Sequence, residues 1–208
     1  MSNYEKLLED WRQRFLQMDT RALLRRLPEL HDEGAYLTIS HFGRRFGISR
    51  ATGEIACTDG GTATQTERLN IYTLLYYGKP EAALLGEWVS FGNLRGAAPF
   101  APAFRAGVQA SFAKTFAGQE ALLRKAAADL GARPLPSTGT AFEADAFACI
   151  PVRFYFWEGD EEFPAQANFL FDAGTPDFIH VESVVTIASA GLTRLAELAG
   201  LQENEASF

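Results

Sequence analysis

The sequence predicts an α+β fold, an antiparallel sheet packed with several helices in a single domain. Two observations carry that expectation. Helix-like and strand-like periodicities follow one another irregularly, with helices before, between and after the strands and no regular βαβ rhythm. The chain of 208 residues is 47% apolar and holds 17 phenylalanines, enough for one substantial core.

Residues 3–30 read as two helices. Tyr4, Leu7, Leu8, Trp11, Phe15 and Met18 recur at helical spacing, with charges between them. Asp19 or Thr20 caps a second, shorter helix that turns Leu23, Leu24 and Leu27 inward and stops near Pro28. From Ala35 the period changes. YLTISHFG, RRFGIS and GEIACT, punctuated by Gly43, Gly47 and Gly53, read as a small antiparallel meander. A helix follows over TQTERLNIYTLLYYG, opened by a Thr64/Glu67 capping box and stopped by Gly78 and Pro80. The Gly60-Gly61 loop before it lacks the patterns of a phosphate cradle and reads as a turn.

EWVSFGNL is strand-like or irregular. Phe100, Phe104, Val108, Phe112 and Phe116 then recur every fourth residue, a helical face that Gly107 interrupts. QEALLRKAAADLG is a helix with Leu122, Leu123, Ala126 and Leu130 inward and Gly131 at its end. Residues 131–140, with two prolines, form the best linker candidate, but the part that follows is short to stand alone, so one domain over 1–208 is expected. IPVRFYFW and QANFLFD form a β-hairpin central to the sheet, joined by an acidic turn. A last helix turns Val184, Ile187 or Ala188, Leu192, Leu195 and Leu198 inward, and the tail QENEASF frays.

The net charge of −7 is unevenly spread. Residues 141–208 hold two basic side chains, Arg153 and Arg194, against twelve acids. Such a field repels phosphate backbones and anionic lipid, so neither nucleic acid nor membrane is an expected partner. The arginines of residues 12–50 are interleaved with acids and read as a solvated face. Cys57 and Cys149 stand alone in apolar stretches and read as buried, reduced thiols, without the spacing for a zinc site or an iron–sulfur cluster. The start, MSNYEKLLEDW, has no signal-peptide h-region, and no apolar run reaches membrane-spanning length, which points to the cytoplasm.

The densest chemistry lies in Trp157-Glu158-Gly159-Asp160-Glu161-Glu162-Phe163-Pro164, with four carboxylates within five residues. Crowding raises the pKa of at least one such carboxylate, which suits acid–base work, and turn carboxylates also bind hard cations. The same residues read as a solvated turn in which Gly159 supplies a positive φ. No two histidines form a metal-ligand pair, so no metal site is assigned. His180 and Glu182 either open the last helix or converge with the hairpin. No GxSxG or SxxK nucleophile motif occurs.

LLYYGKP, GEWVSFGNLRG, FWEGDEEFPAQANFLFDAG and HVES together resemble an uncharacterised prokaryotic family, domain of unknown function thirty-seven eighty-six, across most of residues 30–200. The resemblance implies many relatives from anaerobes, some with an appended cysteine-rich iron–sulfur module that this chain lacks. It implies no activity or cofactor, but it gives weight to Trp88, Ser90, Asp160, Glu161, Glu162, Phe163, Phe171, Asp172 and Glu182.

The favoured reading is a small-ligand-binding or accessory protein with a pocket near residues 157–164. Trp88, Tyr155 and Trp157 would wall it, with Asp160 to Glu162 selecting a cationic group or metal at the rim. The alternatives are a hydrolase- or lyase-like enzyme using Glu161 or Glu162 as base with His180 as partner, and a structural interaction module.

Overall fold

A computed structural model describes residues 3–201; the expected fraying of QENEASF concerns residues outside that range. The fold is α+β with two antiparallel sheets. The first sheet is the meander, with β2 (Tyr36–His41), β3 (Arg44–Ser49) and β4 (Ile55–Cys57) in order, extended by a short outer strand β1 (His31–Glu33). All three residues of β1 are exposed, so no apolar alternation marks it in the sequence.

Helix α1 (Asn3–Leu16) packs on α3 (Gln65–Tyr77). Trp11 and Phe15 are buried as expected, but Tyr4 and Leu7 are exposed. The first turn of α1 overhangs its support, so only the later turns find a surface to bury. The side chain of Asp19 accepts from Arg21 N and Ala22 N at the start of α2 (Thr20–Arg26). The Thr64/Glu67 capping box opens α3 with both reciprocal bonds in place.

The second sheet has the order β5-β9-β8-β7-β6. Its strands are β5 (Trp88–Ser90), β6 (Arg133–Pro134), β7 (Thr140–Phe147), β8 (Ile150–Trp157) and β9 (Gln166–Asp172). The hairpin β8–β9 thus lies at its centre, as the two apolar runs predicted. The expected linker instead supplies β6. Gly131 N donates to Ala128 O and Ala132 N to Ala127 O, ending α6 (Glu120–Asp129) in a Schellman motif, and β6 then pairs with β7.

Between β5 and α6 the chain passes through α4 (Ala101–Phe104), a π-helical turn over Arg105–Gln109, and α5 (Ala110–Phe116). The π turn has a cause in the apolar spacing. An α-helix has 3.6 residues per turn, so a strict four-residue repeat drifts by roughly 40° at each step. One wider turn resets the stripe, and Phe104, Val108, Phe112 and Phe116 are all buried. Short α7 (Thr175–Phe178) and long α8 (Val181–Ala199) complete the chain. Of the inward residues expected in α8, Val184, Ile187, Ala188, Leu192 and Leu195 are buried, and Leu198 packs at the margin.

One apolar cluster runs through both sheets. Its centre is the Phe154 ring, stacked on Phe142 at 5.1 Å and met edge-on by Phe42, Phe112 and Phe169. Phe42 comes from the two-residue turn between β2 and β3, where its φ is +43° and that of Gly43 is +73°. A bulky residue rarely takes that conformation, and ring burial offsets the strain. The β7–β8 register shifts between Asp145 and Phe147, and the Ala146 carbonyl in that irregularity accepts from Phe42 N at 3.1 Å.

The same carbonyl lies 2.7 Å from His41 Nδ1, which donates to it. His41 Nε2 accepts from Asn70 Nδ2 at 3.2 Å, and Thr186 Oγ1 donates to Asn70 Oδ1 at 2.6 Å. The imidazole, fully buried and stacked on Phe147 at 4.4 Å, is satisfied at both nitrogens without a proton to spare.

Two expectations follow. In α8, a Cβ at Gly191 would stand 2.7 Å from Phe42 Cζ and 2.8 Å from Phe154 Cζ. Gly191→Ala gains about 1 kcal/mol of helix propensity but forces two core rings apart at a cost of about 1–3 kcal/mol, so urea unfolding should show net destabilisation of up to about 2 kcal/mol. Burial pushes the His41 imidazole down to about 4, from 6.5 when free. Between those values the unfolded chain binds a proton that the fold refuses. Stability complete above pH 6.5 should therefore fall by roughly 3 kcal/mol as pH drops to 4, about 2 kcal/mol of it before pH 5. Urea midpoints of His41→Gln should lose that early slope.

Candidate functional site

The outward side chains of the second sheet follow from strand parity. Phe154, Phe156, Phe169 and Phe171 point into the core, so Arg153, Tyr155, Trp157, Asn168 and Leu170 face away from it. Trp88 and Ser90 join this face from β5, opposite Asp172 and Leu170. The Trp88 ring is already covered, because the Arg153 guanidinium lies 3.7 Å from its centroid. Arg153 Nε also donates to Glu143 at 2.7 Å, and Arg133 bridges Glu143 and Asp145. Tyr155 and Trp157 stack at 5.9 Å, and Trp157 Nε1 donates to Thr138 Oγ1.

The acidic hairpin turn is solvated. Asp160 Oδ1 accepts from Glu162 N and Phe163 N, and these backbone donors hold its carboxyl below the usual range, the reverse of the crowding expected. Glu161 and Glu162 are exposed and make no side-chain hydrogen bond or ion pair among the described residues, and Phe163 is 60% exposed. Gly159 does not take a positive φ. It is needed for close approach, since a Cβ there would lie 2.7 Å from Ala165 N. Glu158 reaches sideways to accept from Gly118 N at the turn between α5 and α6.

Asp172 has a different task. It is buried, and its carboxylate accepts from Leu85 N, Gly86 N and Gly174 N at 2.7–2.9 Å. Those bonds fasten the loop before β5 to the end of β9. His180 is also apart from the hairpin. It caps α8, accepting from Glu182 N at 3.3 Å, and its ring lies 5.2 Å from Tyr77. Among the described residues no group of three or more His, Cys, Asp or Glu gathers in a way that would hold a metal ion. Cys57 is buried and Cys149 half-buried, both as free thiols, and burial pushes both thiol pKa values up, away from reactivity.

Two of the sequence candidates do meet in a cavity. Ser90 and Trp157 line a cleft of about 540 Å³ at the base of the hairpin. Its floor is apolar, from Phe91, Ala101 and Phe104. Its walls carry four carboxamides, Asn93, Gln109, Gln166 and Asn168, and the one charged lining side chain, Arg105. The cleft exists because β5 covers only Leu170–Asp172 of β9, which leaves the earlier half of that strand's edge open. Gln109 Nε2 caps this edge by donating to Ala167 O at 2.7 Å, and Asn168 Oδ1 accepts from Phe169 N at 2.9 Å. Arg105 and Gln109 begin and end the π turn, a feature common at functional sites. Sequence reasoning passed over Arg105, Gln109 and Asn168. The only signal was the sustained four-residue apolar spacing around Gly107.

A family model for a domain of unknown function (DUF3786) matches residues 19–194. No curated protein and no solved structure matches the chain.

The two kinds of carboxylate should separate by mutation. Glu161→Gln and Glu162→Gln, each at a solvated position, should move unfolding midpoints by the equivalent of no more than about 0.5 kcal/mol. Asp172→Asn places an amide donor against backbone donors and should cost about 1–3 kcal/mol in the same melts.

Proposed function

We propose that this chain, which belongs to the DUF3786 family, is a small-ligand-binding protein that takes an anionic ligand in the cleft at the base of the hairpin. The observation that carries this is Arg105. It is exposed, lines the cleft, and makes no hydrogen bond or ion pair among the described residues. No carboxylate shares the lining with it. A guanidinium free of internal partners offers a planar fork of donors that matches a carboxylate or phosphate.

The surrounding charge sharpens the reading. The acids of residues 141–208 disfavour anions at long range, so recognition rests on close contact at Arg105 rather than on steering. Asp160, Glu161 and Glu162 stand outside the lining, which favours an anionic ligand in this cleft over a cationic one. Free thiols at Cys57 and Cys149 suit a reducing, cytoplasmic setting, and no helix of the described residues is long and apolar enough to cross a membrane.

Titration calorimetry with small carboxylates and phosphates tests this. Arg105→Gln should weaken binding about 10- to 100-fold, the range for losing a charge-assisted hydrogen bond, with a melt close to wild type. Equal binding by wild type and Arg105→Gln would refute the assignment.

A further inference from the structure

The internal bonds of the cleft fix which atoms its carboxamides present, and this deepens the anionic-ligand reading on which it rests. Gln109 uses Nε2 to donate to the Ala167 carbonyl, so its Oε1 is left as an acceptor. Asn168 uses Oδ1 to accept from Phe169 N, so its Nδ2 is left as a donor. Neither amide can flip without setting like against like at a backbone group of the open β9 edge. Both residues line the cleft beside Arg105, and neither remaining atom has a partner among the described residues.

We infer that the ligand carries, besides its anionic group, an adjacent N–H donor and C=O acceptor, as an amide or ring lactam does. The N–H meets Gln109 Oε1 and the C=O meets Asn168 Nδ2, while the anion pairs with Arg105. A ligand with two acceptors or two donors at these points takes water from a polar atom of the cleft without replacing its hydrogen bond, which is how a pocket rejects near-isosteres. The apolar floor of Phe91 and Phe104 suits a flat ring.

Two planar monocarboxylate probes separate this inference from its premise. Orotate presents lactam N–H and C=O groups; benzoate has the same ring size and charge but no ring donor or acceptor. Calorimetry on wild type should give orotate at least a tenfold tighter Kd. Asn168→Asp keeps the bond to Phe169 N and exchanges the free donor for an acceptor. Its added charge weakens both probes, so the ratio of the two Kd values isolates the hydrogen bond, and that ratio should fall about tenfold. Equal binding of the probes by wild type overturns the donor–acceptor inference and leaves the anionic-ligand reading standing. So does an unchanged ratio in Asn168→Asp. Failure of both probes to bind wild type at millimolar concentration counts against the two together. The wild-type comparison does not depend on the variant folding.

Discussion

The fold hangs on a single carbonyl oxygen. Ala146 O accepts from Phe42 N and from His41 Nδ1, joining the turn of the first sheet to an irregularity in the second. Apolar contacts between the two sheets are non-directional and do not define an angle, whereas these two hydrogen bonds do. The imidazole passes the constraint onward through Asn70 of α3 to Thr186 of α8, so four elements are registered by one chain of hydrogen bonds. Both ring nitrogens of His41 and both amide atoms of Asn70 are paired in this series, which is the condition under which a buried network specifies a geometry instead of destabilising it. Phe42 takes a left-handed backbone costing about 1–2 kcal/mol, and burying its ring returns a similar or larger amount.

The cleft inherits its shape from this arrangement. The second sheet lies against α5 and the π turn, and β9 pairs with β8 over Gln166–Phe171 on one edge but with β5 only over Leu170–Asp172 on the other. An open strand edge is a site for unwanted pairing. Here Gln109 and Asn168 occupy two of its hydrogen-bonding groups, Ala167 O and Phe169 N. Protection of the edge and the polar character of the cleft are therefore one feature with two consequences.

Elements marked by local chemistry were legible in the sequence. The glycine-punctuated meander, the Thr64 capping box, the central hairpin and the last helix all follow from residues near one another in the chain. β7 was not legible, because TAFEADAF is rich in Ala, Glu and Asp, which favour strands poorly, and the segment is a strand through its pairing with β8. β6 hid among prolines that an edge strand tolerates. The role of His41 was out of reach, since its partners lie 29 and 105 positions away. At the site, Ser90 and Trp157 were anticipated, whereas the hairpin carboxylates drew notice by their density in the chain. Density in sequence says nothing of burial. Asp172 was weighted as a binding candidate, and its three backbone donors make it a fastening for the loop before β5.

Strand β9 divides its residues by parity. Ala167, Phe169 and Phe171 are committed to the core, while Gln166 and Asn168 face the cleft. Point substitution at the second set can alter recognition while the packing of the first remains intact. Insertion or deletion of one residue would exchange the sets, driving amides into the phenylalanine cluster and rings into water. The strand can thus drift toward new ligands through side-chain replacement, yet it has no tolerance for a change in length. Diversification of this cleft is confined to residue identity, with the spacing held constant by the core behind it.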